Sequence, residues 1–124
     1  MIAGIGIDLI EIERIEQSIR RFGNLFLEKL FTPFEIEFCG SKPIPAQHYA
    51  ARFAAKEAIY KATPKEFQQY LTWQCIEIYT EKNGAPLVKL VGAGKTVEEN
   101  GFSFMVSLTH TKVSAACSAI CISS

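Results

Sequence analysis

A chain of 124 residues, 48% of them hydrophobic, is long enough for one domain with a real core and too short for two ordinary ones, so a single domain over residues 1–124 is expected. Its 13 basic and 13 acidic residues cancel to a net charge of zero, which excludes a whole-molecule basic field for nucleic acid; any basic patch has to be local. No stretch approaches membrane-spanning length and residues 1–8 lack a positively charged leader, so a soluble cytoplasmic protein without membrane contact is expected.

The apolar, glycine-punctuated run 2–7 reads as a buried strand whose backbone passes close to something at Gly4 and Gly6, with Asp8 at its end. From Leu9 the period changes: Leu9, Ile12, Ile15, Ile19 and Phe22 recur at helical spacing, and Gly23 supplies the stop. The outer face of this helix carries Arg14, Gln17 and Arg21 in a line with Arg20 alongside, after an acidic first turn of Glu11 and Glu13 that suits the positive end of the helix dipole. That basic stripe reads as a solvated face or as a docking surface for an acidic partner. Asn24 can cap a short helix through Leu30. Thr32-Pro33-Phe34-Glu35 is then a capping box with proline at the first helical position, opening a third helix that ends near Gly40. A connector carrying Lys42 leads to a long helix from about Pro45, stopped by Thr63-Pro64, and 65–70 reads as a loop or a single turn.

The second half alternates. Strands are expected over 72–80 and 87–91, joined through Lys82-Asn83-Gly84, followed by a short helix over 93–100 closed by Gly101. Residues 102–108 and 113–122 read as a final antiparallel pair with His110-Thr111-Lys112 at the turn. The fold class is therefore α+β, with early helices packed on a mainly antiparallel sheet. Cys39, Cys75, Cys117 and Cys121 show neither a Cys-x-x-Cys pair nor zinc-site spacing and read as buried free thiols.

The long helix concentrates the chemistry. On it, Phe53, Glu57, Tyr60 and Lys61 share one stripe while Arg52 and Lys56 stack on the next, which sets the Glu57 carboxylate beside three cations. Arg52 and Lys56 repel by about 0.2–0.5 kcal/mol in an isolated helix unless an anion lies between them, and a phosphate would supply it. The alternative is a solvated face laced with Glu-Lys pairs. Asp8 and Glu57 are the two acids least like surface groups. Two such carboxylates, with waters and substrate phosphate oxygens, can hold magnesium, while Arg52, Lys56 and Lys61 grip the phosphates; this describes a diphosphate site. Phosphoryl transfer asks the protein mainly to position reactants and stabilise charge. Taken singly, His110 reads as a turn histidine and His48 as structural. Gly4-x-Gly6 lacks the third glycine of a dinucleotide fingerprint.

Three blocks in this order and spacing resemble the holo-acyl-carrier-protein synthases, the small bacterial group of 4′-phosphopantetheinyl transferases. They are Gly4-Ile5-Gly6-Ile7-Asp8-Leu9-Ile10-Glu11 with Arg14-Ile15, Arg52-Phe53-Ala54-Ala55-Lys56-Glu57-Ala58 with Lys61-Ala62, and Ser107-Leu108-Thr109-His110-Thr111; Phe31-Thr32 with Glu35 is a weaker fourth. The resemblance implies that coenzyme A gives its phosphopantetheine arm to a serine of apo acyl carrier protein, in support of fatty acid synthesis. It implies Asp8 and Glu57 as magnesium ligands, Arg52, Lys56, Lys61 and His110 at the coenzyme, and a catalytic set of Glu57, Asp8, Lys61 and His110. Glu57, a metal-linked water and His110 all remain open as the base that activates the serine. It also implies a homotrimer with sites between subunits, and it gives Arg14, Arg20 and Arg21 a natural partner in the acidic carrier. One departure concerns the segment after Ala62, where the family's glycine-rich loop is replaced by Thr63-Pro64-Lys65-Glu66-Phe67-Gln68-Gln69-Tyr70. The rival readings are a metal-dependent phosphohydrolase and a carrier-binding module without turnover.

Overall fold

The computed structural model describes residues 1–124. Its first strand, β1 (Ile2–Glu11), runs on through Leu9 and Ile10, which the helical period had assigned to the first helix. The reason is pairing. β1 lies antiparallel to the C-terminal strand β5 (Ser114–Ser123), from Ile2 opposite Ile122 to Glu11 opposite Ser114, so those backbone groups are satisfied by a partner from the other end of the chain. Helix α1 (Ile12–Phe22) therefore starts later than expected, with Glu11 as its extended cap residue and Glu13 as the first-turn acid. β4 (Phe102–His110) pairs along the other side of β5, giving a three-stranded antiparallel sheet in the order β1-β5-β4.

Helix α4 (Pro45–Ala62) lies across one face of this sheet, and its alanines explain how closely. A Cβ at Gly4 would stand 1.9 Å from the Ala62 carbonyl oxygen, and one at Gly6 would stand 2.0 Å from that of Ala58, so only glycine lets the strand backbone approach the helix there. This is the close passage expected from the two glycines. From Gly4 to Ile10 the even-numbered residues of β1 consequently face α4, whereas Ile5, Ile7 and Leu9 point away, at 72%, 70% and 69% exposure.

Helices α2 (Asn24–Leu30) and α3 (Pro33–Gly40) wrap the N-terminal half of α4. Gly23, at φ 56°, both ends α1 and caps α2, the role the sequence had assigned to Asn24. The capping box of α3 forms as expected, with Thr32 Oγ1 accepting from the Glu35 N–H and Glu35 Oε1 accepting from the Thr32 N–H at 2.9 Å. A separate hairpin of β2 (Ile76–Thr80) and β3 (Pro86–Leu90) closes over the other half of α4. Two expectations shift here. Residues 73–75 are a 3₁₀ turn rather than strand, and 93–100 divides into a 3₁₀ turn followed by α5 (Lys95–Glu99). Residues 65–70, read as loop or turn, form a 3₁₀ helix whose Gln68 side chain donates back to the carbonyls of Tyr60 and Thr63.

Candidate active site

Asp8 lies on the α4 side of β1 and within the strand rather than at its end, so its carboxylate meets the last turns of the helix. There Lys61 Nζ donates to Asp8 Oδ1 at 3.0 Å and to the Ile7 carbonyl at 3.2 Å. Glu57, one turn earlier on α4, shares with Asp8 a cavity of about 370 Å³ whose wall includes Arg14 and Phe53. Its side chain makes no hydrogen bond or ion pair within the protein. Burial, and then the Asp8 carboxylate, push the Glu57 carboxyl above the usual carboxylate range, with Lys61 pulling the other way. Glu57 also borders a second, largely apolar cavity of about 330 Å³ formed with Lys56, Tyr60, Leu71, Thr72, Trp73 and Ile76. The Phe53 and Trp73 rings, stacked with centroids 5.3 Å apart, place one aromatic in each wall.

The three cations expected around Glu57 separate in the structure; only Lys61 stays beside it. Lys56 is completely buried, its ammonium donating to Glu35 Oε1 at 2.6 Å, to the Leu30 carbonyl at 2.9 Å and to the Trp73 carbonyl at 2.8 Å. All three of its donors are used. The anion beside Lys56 is thus a protein carboxylate, and the sequence had read Glu35 only as half of a capping box. Glu35 Oε2 also accepts from the Ile78 N–H at 2.9 Å, so this one acid ties α3, α4 and β2 together. Burial draws the Lys56 pKa down while Glu35 raises it back.

Arg52 goes to a different place again. Its Nη2 donates to Thr80 Oγ1 at 2.9 Å, Nη1 reaches the His48 carbonyl at 3.4 Å, and the guanidinium stacks 4.7 Å from the centre of the Phe38 ring. Lys42 sits 4.4 Å from the centre of that ring, and His48 lies 6.4 Å from His110 between centroids. Lys42, His48, Arg52 and His110 therefore form one basic group of side chains, a cation cluster by virtue of Lys42 and Arg52. His110 reaches it as the last residue of β4 rather than from a turn. In the sequence Arg52 and His110 stand out, whereas Lys42 reads as part of a connector and His48 as structural; the available signal was His48 one helical turn before Arg52. Along α4, His48 lies nine residues or about 13 Å before Glu57, and Arg52 five residues or about 7.5 Å before it.

On α1, Arg14 opens onto the carboxylate cavity, and with Gln17, Ser18 and Arg21 it borders a neighbouring groove of about 210 Å³. Arg20 is already paired to Glu16 at 2.7 Å, so Arg14 and Arg21 carry the unpaired charge of the stripe. The cysteines are free thiols; Cys39, Cys117 and Cys121 are buried, and Cys75 is half-buried.

Comparison with known proteins gives one consistent answer. The model of the 4′-phosphopantetheinyl transferase superfamily matches residues 4–117. A holo-[acyl-carrier-protein] synthase from Koribacter versatilis is 41% identical over 122 residues, 97% of this chain and 98% of the relative; one from Protochlamydia amoebophila is 46% identical over 90 residues, 73% and 74% of the two chains. Among solved structures, the synthase from Neisseria meningitidis superposes with a TM-score of 0.86 at 26% identity, over 98% of this chain and 99% of the other. The Helicobacter pylori synthase, in complex with coenzyme A, gives 0.77 at 31% identity over 95% and 99%. With two acids from distant parts of the chain meeting at one cavity and matches along nearly its whole length, this chain belongs to the holo-[acyl-carrier-protein] synthase family of the 4′-phosphopantetheinyl transferase superfamily.

Proposed function

We propose that this protein transfers the 4′-phosphopantetheine arm of coenzyme A to a serine of apo acyl carrier protein in a magnesium-assisted reaction, releasing adenosine 3′,5′-bisphosphate. The observation that carries the reading is the convergence of Asp8 and Glu57 on one cavity with Lys61 at its edge. Two carboxylates on one cavity, one of them without a partner, fit the donor set of magnesium, which takes one or two carboxylates and leaves its remaining positions to water and phosphate oxygens. Bound there, it would neutralise charge on the pyrophosphate and its leaving oxygen.

In the reaction, the serine oxygen bonds to the phosphorus that bears pantetheine. The bond from that phosphorus to the bridging oxygen breaks, and its electron pair leaves with the bisphosphate. Glu57, which lines the carboxylate cavity, is the base nearer this chemistry, directly or through a water, whereas His110 stands beside His48 in the cation cluster. Lys61, half-exposed beside Asp8, neutralises phosphate oxygens as charge builds. Arg52 and His110 bind a phosphate of the coenzyme, while Lys56 contributes from beneath by holding the Trp73 carbonyl. Arg14 and Arg21, with Arg20 beside them, steer the acidic carrier toward the cavity.

A homotrimer is part of the same reading. Its support is the uncovered face of the sheet, where Ile5, Ile7, Leu9 and Met105 stand exposed, an apolar surface of the kind that marks an interface. Assembly also offers a way to bring the cation cluster of one subunit near the carboxylates of another. No helix is long and apolar enough to cross a membrane, and the reaction belongs to cytoplasmic fatty acid synthesis. The test is incubation with coenzyme A and magnesium, with and without apo carrier, followed by mass spectrometry of carrier and coenzyme. Transfer requires a carrier that gains one phosphopantetheine only when both substrates are present; coenzyme cleavage without carrier would point to a phosphohydrolase instead.

A further inference from the structure

His48 belongs to the cation cluster, yet neither the motifs nor the family resemblance assigns it a role. It sits one turn before Arg52 on α4, with its carbonyl accepting from Arg52 Nη1, and its ring lies 6.4 Å from the His110 ring and 6.4 Å from the Phe38 ring. The same Phe38 ring carries the Arg52 guanidinium and the Lys42 ammonium at 4.7 and 4.4 Å from its centre. The titratable and charged groups facing His48 are Arg52 from its own helix, Lys42 from the preceding connector and His110 from β4, with no carboxylate among them. Within this cluster Arg52, only 4% exposed, keeps a buried Nε with no hydrogen-bond partner, a donor the protein itself does not use.

We propose that His48 is a further anion-binding residue of the coenzyme site, neutral while the site is empty and protonated when a phosphomonoester dianion occupies it, so that coenzyme binding draws a proton into the protein. This rests on the reading of Arg52 and His110 as coenzyme contacts. A third permanent cation beside Lys42 and Arg52 would add repulsion in the free protein, whereas a histidine avoids that repulsion by staying neutral until the anion arrives. Burial, followed by Arg52, Lys42 and His110, already holds the free imidazole below its ordinary pKa. A dianion among these groups reverses the local field and favours the imidazolium.

The sign follows from linkage. The protonated form binds more tightly, so the added affinity is complete below the free-state pKa and fades as pH rises through the bound-state pKa. Each unit by which binding raises the His48 pKa is worth about tenfold in affinity over that window. At the acid end the gain is cut off where the phosphomonoester itself takes a proton, near a pH of about 6. Dephospho-coenzyme A, which lacks the phosphomonoester, draws no such proton. His48 thereby helps to distinguish the two coenzyme forms.

The experiment is an NMR titration of the histidine rings in the intact protein, free and saturated with coenzyme A or with dephospho-coenzyme A. The chain has two histidines, so the resonance missing from His48→Gln identifies the one of interest. Expected is an upward move of the His48 midpoint by about one unit or more with coenzyme A and little with dephospho-coenzyme A. Calorimetry at pH 7 in buffers of different ionisation enthalpy should show proton uptake that shrinks in His48→Gln. A His48 midpoint unmoved by saturating coenzyme A, or moved equally by both forms, overturns the proposal while leaving the coenzyme reading intact. Failure of coenzyme A to bind at all overturns that reading, and this proposal with it.

Discussion

Arg52, Lys56 and Lys61 look alike in the sequence, as three cations near one acid, yet they do three different things. Lys61 meets Asp8, Arg52 joins a cluster of basic groups, and Lys56 is sealed in the core against Glu35. Helical spacing could show which of them share a face, but the direction each long side chain takes is decided by what packs over that face, and for Lys56 this is α3 and the Trp73 turn. Removing one member of a buried ion pair strands the other, at a cost of about 3–5 kcal/mol. Lys56→Met should therefore lower stability in denaturant unfolding by about that amount. Adding Glu35→Gln, which removes the stranded charge but can still accept from the Thr32 N–H, should recover part of the loss. Unchanged stability together with lost coenzyme affinity would mean that the ammonium reaches the coenzyme after all.

Among the elements, β1 carries the most functional information, because its alternation sends Asp8 toward α4 and Ile7 and Leu9 away from it. Gly4 and Gly6 were legible as points of close approach, and the structure supplies the partner, the carbonyls of Ala62 and Ala58. The end of β1 was not legible: Leu9 and Ile10 fit a helical period as well as a strand, and only pairing with β5, distant in sequence, decides between them. Trp73 raised the opposite difficulty, since a β-prone aromatic occupies a 3₁₀ turn whose carbonyl is needed by Lys56. If the β1 to α4 contact sets the site, Gly6→Ala should both destabilise the fold by about 1–3 kcal/mol through overpacking and move Asp8 relative to Glu57. Thermal melts and transfer rates measured together check this. Wild-type values for both would remove the contact from the account.

At the scale of the whole molecule, the uncovered side of the sheet is the feature least visible in the sequence. Ile5 and Ile7 read as residues of a buried strand and Leu9 as the start of the first helix, and which of the strand's two faces is covered by α4 cannot be seen without the sheet order β1-β5-β4. Ile7→Glu should convert an assembled protein to monomer in sedimentation equilibrium and lower transfer with it, whereas unchanged mass would deny this face an assembly role. The pairing of Asp8 and Glu57 was legible as chemistry, from their unusual surroundings, but their meeting at one cavity depends on the whole fold. That pairing is the centre of the account, and a double-mutant cycle of Asp8→Asn and Glu57→Gln on the rate of phosphopantetheine transfer tests it most directly. Acting as a unit, each single change should cost at least about a hundredfold with the fold intact, and the double variant should be little worse than either single one. Near-normal transfer by either single variant, or losses that simply multiply, would contradict it.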